Sequence, residues 1–138
     1  MNSGNSTYFD IRSINPLYQG FFTVLLVSCC ALYCFLFNHR SMQAWNMVLS
    51  PIFLFCSYNP ILGVFHKNWW KYTSFSFLVL VGIAFYIYIS GNFISEFSYG
   101  DTEELQRLTA LVFIFYFLLN LLCVVFKAIL YLLKHIDD

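Results

Sequence analysis

Four stretches of this 138-residue chain, Phe21 to Phe37, Ala44 to Tyr58, Tyr72 to Ser90 and Leu108 to Phe126, contain no Asp, Glu, Lys or Arg, although seven basic and seven acidic residues stand elsewhere. A run of about 18 or more residues with few charges is long enough to cross a hydrocarbon core about 30 Å thick as a helix. Three of the four runs meet or approach that length. The pattern predicts an all-α integral membrane bundle of four transmembrane helices over residues 20–134, between a polar segment 1–19 and a short tail 135–138. Composition agrees. Charged residues make up 10% and hydrophobic ones 60%, where a soluble domain carries roughly a quarter charged.

The second run is the irregular one. Pro51 interrupts it, Asn59-Pro60 closes it, and Asn46, Ser50 and Ser57 add polar groups. From Ala44 to Tyr58 it covers only about 22 Å at 1.5 Å per residue, so a short or proline-kinked second helix is expected unless it continues through Pro60 toward Phe65. Proline also frees a carbonyl, which Ser50 or Asn46 is placed to satisfy. These polar groups, with Asn120 deep in the fourth run, are the candidates for helix packing or a polar lining.

The connections suggest how the bundle lies. Asn38, His39 and Arg40 form a tight polar link followed by Ser41, a residue type that caps helices. Lys67, Trp69, Trp70 and Lys71 mix cations with indoles, which suits the headgroup level, and with Lys127 they read as interface anchors. Thr102 with Glu103 and Glu104 looks like a helix start, with a hydroxyl cap and acids in the first turn. The fourth helix is expected to run past Lys127 to Lys134, its last turns along or beyond the interface. Four spans put Arg12, Lys67, Lys71, Lys127 and Lys134 on the face of the termini and Arg40 and Arg107 on the other. That bias places both termini inside. With no small-residue cleavage pattern after Phe37, the first run reads as a retained anchor. The Asn5-Ser6-Thr7 sequon is too common a pattern to carry weight.

Zero net charge argues against nucleic acid as a partner. His39, His66 and His135 fall in connections or the tail, so no axial haem ligand is expected. Cys29, Cys30, Cys34, Cys56 and Cys123 lack CxxC spacing and read as small packing residues. The acids at Glu96, Asp101, Glu103 and Glu104 lack calcium-loop spacing. No nucleotide loop, nucleophile elbow or HExxH occurs, so no cofactor, metal or enzymatic activity is expected. From Tyr18 to Tyr88 the order of features, with Trp45, Asn59, Pro60 and Trp69 or Trp70 as marks, resembles a family of small bacterial multi-span membrane proteins without an established activity. That resemblance implies a bacterial inner-membrane bundle. The expected partners are the lipid bilayer and either further copies of the chain or other membrane subunits. A small channel, transporter or membrane-perturbing effector is the alternative, and an immunity-type protein against a pore-forming toxin is a further one.

Overall fold

The structure, a computed structural model, describes residues 15–39 and 41–134. The polar segment before Asn15 with its sequon and Arg12, the Arg40 of the first connection and the tail from His135 lie outside the described residues. The fold is all-helical: α1 (Pro16–Leu36), α2 (Met42–Val64), α3 (Trp69–Ile94), a 3-10 turn (Tyr99–Asp101) and α4 (Glu103–Lys134). All four α-helices are long and apolar enough to cross a membrane.

Local chemistry sets the ends. Asn15 Oδ1 accepts the Leu17 amide at 3.0 Å and proline occupies the first helical position, where its fixed φ and missing donor cost nothing. α1 therefore begins before residue 20 and takes Gln19 into its first turns. It ends in a left-handed residue, Asn38 at φ 54. His39 N donates to Cys34 O at 2.9 Å and Asn38 N to Phe35 O at 3.4 Å. This is the Schellman arrangement, which asparagine tolerates better than most side chains. Ser41 stands at the N-cap position of α2, but its hydroxyl makes no capping bond. Thr102 likewise donates back to Ser98 O rather than capping α4. Glu103 and Glu104 do occupy the first turn of α4.

α2 continues through both prolines for 23 residues. The extension past Pro60 gives it a length of about 34 Å, sufficient for a span. The carbonyl that Pro51 frees is Met47 O, and Ser50 Oγ donates to it at 2.9 Å. The helix with most polar interruptions is also the hub, packing along α1, α3 and α4 while α1 also packs on α3. Half of its apolar stretch is buried, against 17% of that of α4.

The core follows from spacing. α3 buries Tyr72, Ser76, Leu80, Ile83, Ile87, Gly91 and Ile94, steps of four and three that keep one stripe on its neighbours. Trp45, Val48, Ile52 and Phe55 of α2 meet this stripe, with Val27 and Cys34 of α1 and Val112 and Tyr116 of α4. Cys34 and Cys56 are core residues, whereas Cys29 faces outward. At the end bearing the α3–α4 loop, the Trp45 ring lies flat on Gly91, where a Cβ would stand 2.3 Å away. Its indole N–H donates to Phe97 O at 3.0 Å and ties the loop to α2.

Candidate functional site

At the opposite end, the bundle closes on polar groups. Gln19 and Thr23 come from α1, Asn59 from α2, Tyr72 and Ser76 from α3, and Tyr116 and Asn120 from α4, all of them buried. Gln19 sits one turn into its helix and Tyr72 in the first turn of α3, while Asn59 lies about 7 Å from the end of α2. The cluster thus sits just inside the end that carries the α2–α3 turn.

Asn59 is its centre. Its Nδ2 donates to Gln19 Oε1 at 2.7 Å and to Tyr72 Oη at 3.2 Å. Its Oδ1 accepts from Tyr116 Oη at 3.3 Å. Gln19 Nε2 donates to Tyr72 Oη at 2.8 Å, and that phenol donates to the Asn59 carbonyl at 3.4 Å. One amide thereby connects all four helices. Around it, Thr23 and Tyr58 donate to the Gln19 carbonyl at 2.9 and 3.5 Å. Gly63 makes room for the ring of Tyr72, which a Cβ there would meet at 2.9 Å. The Ser76 hydroxyl faces the phenols of Tyr72 and Tyr116, yet meets neither at hydrogen-bond geometry.

Physically this is a lock. A buried amide without partners costs several kcal/mol in an apolar surrounding, so the four helices satisfy the cluster only in one register. Its members are amides, phenols and hydroxyls, which exchange hydrogen bonds and hold shape. Each bond between helices in a membrane is worth about 0.6 kcal/mol on average. Shared through one residue, several such bonds act together.

The structure divides the residues singled out by sequence. It brings Asn59, Pro60 and Asn120 to this end of the core and buries Pro51 higher along α2. Asn120 bonds within its own helix, Nδ2 to Tyr116 O at 2.9 Å, and not across to a neighbour. Asn46 and Ser50 are exposed on the outward side of α2. Ser57 donates to Phe53 O of the same helix at 2.7 Å. A single lining built from Asn46, Ser50, Ser57, Asn59 and Asn120 therefore does not form, because Asn46 and Ser50 face outward from α2 while Asn59 and, on α4, Asn120 are buried. The anchor residues gather at the α2–α3 turn: Lys67, Trp70 and Lys71 are exposed, Trp69 is half-buried, and Lys127 Nζ donates to His66 O at 3.0 Å. His66 stacks on Tyr72 at 4.2 Å and His39 on Tyr33 at 6.0 Å. Among the described residues, no three His, Cys, Asp or Glu side chains stand close enough to share a metal ion.

Gln19, Thr23, Tyr72, Ser76 and Tyr116 are the members that reading the sequence missed. Gln19 falls in the stretch read as a polar leader, and the phenols pass as two aromatics among many. One signal was present: Gln19, Thr23 and Val27 recur at four-residue steps, the spacing of a helix face. No family model, curated protein or solved structure matches this chain.

Proposed function

We propose that this chain is a non-enzymatic, multi-pass membrane protein that acts by helix association, as a homo-oligomer or as the membrane subunit of a larger assembly, with α4 as its docking element. One observation carries the reading. On the side of α4 turned away from α2, Leu111, Ile114, Leu118, Leu121 and Val125 recur at three- and four-residue steps, each at least half exposed. That spacing is the one by which helices interdigitate, and in lipid such packing, rather than any hydrophobic drive, holds helices together. The polar cluster complements the stripe, since it fixes the register of all four helices, α4 through Tyr116, and leaves the far side of α4 an open face of defined shape. The amides and phenols of the cluster spend their hydrogen bonds on one another across the four helices, which favours assembly over permeation. A bacterial inner-membrane setting with both termini cytoplasmic belongs to the same proposal, supported by the family resemblance and by the lysines at the α2–α3 turn.

Purification from the native membrane in mild detergent, followed by mass measurement, tests it. The expected result is a mass above that of one chain, or a co-purifying membrane protein. Cross-linking through Leu118→Cys in a background without other cysteines should then trap that contact. A monodisperse monomer that retains nothing would overturn the proposal.

A further inference from the structure

The end of the bundle with the α2–α3 turn is basic. Lys67, Lys71 and Lys127 stand there, whereas Glu96, Glu103 and Glu104 stand at the other end. Between the turn and α4 lies a hollow of about 570 Å³, whose lining mixes the rings of Trp69, Trp70 and Tyr131 with Val124 and the two lysines Lys67 and Lys127. Lys127 gives one donor to His66 O, and an ammonium group carries three, so two remain. Lys67 is exposed. Among the described residues the ion pair is Arg107 with Glu103, at the far end, so neither lysine is neutralised within the bundle. Below the hollow, Phe117 continues the side of α4 that Val124 begins and is 58% exposed.

We infer that this hollow seats the headgroup of an anionic phospholipid. The phosphate lies between Lys67 and Lys127, the indoles flank the ester region, and an acyl chain runs over Val124 and Phe117 beside α3. The chemistry of the lining selects that occupant. The lining offers two cations for a phosphate and amphipathic rings for the ester region, and α4 continues from Val124 to Phe117 as an apolar surface for an acyl chain, so the charged, amphipathic and apolar parts of one lipid each find a counterpart. Lys71 belongs elsewhere, in a separate hollow with Asn15 and Phe75, which sets a specific site apart from a generally basic surface. The inference rests on the bilayer placement proposed above and not on the association through α4.

Native mass spectrometry of the full chain in detergent, offered phosphatidylglycerol and phosphatidylcholine in equal amounts, is the test. Phosphatidylglycerol should be retained preferentially. Lys67→Gln and Lys127→Gln should each cut that preference by about fivefold, since a cation near lipid phosphate is worth about 1 kcal/mol. Lys71→Gln should leave it unchanged. Equal retention of the two lipids would overturn the inference, and so would a loss in Lys71→Gln as large as in the other two. The number of chains per complex is read from the same spectrum, so a failure of the association proposal shows separately.

Discussion

The two ends of this bundle are closed by different physics. At the end bearing the α2–α3 turn, Asn59 ties the helices through hydrogen bonds with Gln19, Tyr72 and Tyr116. At the end bearing the α3–α4 loop, one indole does the corresponding work by shape: Trp45 is 1% exposed, covers Gly91 and reaches Phe97 O. Lipid is as apolar as a side-chain core, so a helix bundle within it depends on close packing and on bonds between helices. Here the two means are separated along the axis. The hydrogen-bonded end demands particular partner groups, whereas the packed end demands a particular volume, and substitutions should tell them apart.

The largest effect is expected at the packed end. Trp45→Ala removes the ring that fills the space over Gly91, and the site already adjoins a cavity of about 150 Å³ lined by Leu49, Ile52, Val112 and Phe113. Surroundings that do not close over the present void will not collapse over a larger one, so a cost of about 3 kcal/mol is expected. Unfolding in mixed micelles by detergent titration measures it. Trp45→Phe, which keeps a ring but loses the bond to Phe97 O, should recover most of that loss. If Trp45→Phe proves as damaging as Trp45→Ala, the loop end is held by its hydrogen bond and the contrast between the ends disappears.

Next in size is the hydrogen-bonded end. Asn59→Leu keeps a similar volume but leaves Gln19, Tyr72 and Tyr116 without the partner they share. Three or more bonds at about 0.6 kcal/mol each give a loss near 2 kcal/mol. The double variant Gln19→Leu with Asn59→Leu should cost less than the two single changes added together, because removing both halves of a buried polar pair leaves fewer groups unsatisfied. Strict additivity in the same detergent titration would show that the amides act as separate side chains and not as one lock.

How much of this was open to sequence reasoning follows from where each signal lives. The uncharged runs mark the four spans because excluding charge from a bilayer is a property of composition along the chain. The run of α2 through Pro60 is one of two courses that the sequence leaves open, whereas the bond from Ser50 to the carbonyl freed by Pro51 follows from local chemistry. The polar cluster does not. Its members are separated by tens of residues, as with Gln19 and Asn59, and the inward direction of each depends on helix rotation. Asn46 and Asn59 look equivalent as isolated asparagines in one run, yet thirteen positions along a 3.6-residue period do not return to the same face. The start of α1 at Pro16 mattered most, since it moves Gln19 from the leader into the core.

The smallest effects sharpen the comparison most. Tyr116→Phe deletes one hydroxyl, whose bond to Asn59 Oδ1 is 3.3 Å long, and keeps the ring that fills the core. The expected loss is about 0.6 kcal/mol, the typical value of one bond between membrane helices. Asn46→Leu, outward on the same helix as Asn59, should change stability by less than about 0.5 kcal/mol, the range of surface substitutions. Together the two changes ask whether polarity counts by its chemistry or by its place. A loss at Asn46 equal to that at Tyr116 would mean that the outward face of α2 is itself covered in the working assembly. Asn46 would then mark a second contact beside the stripe on α4. A neutral Asn46 with a measurable Tyr116 leaves the lock where Asn59 stands, inside the bundle and shared by its four helices.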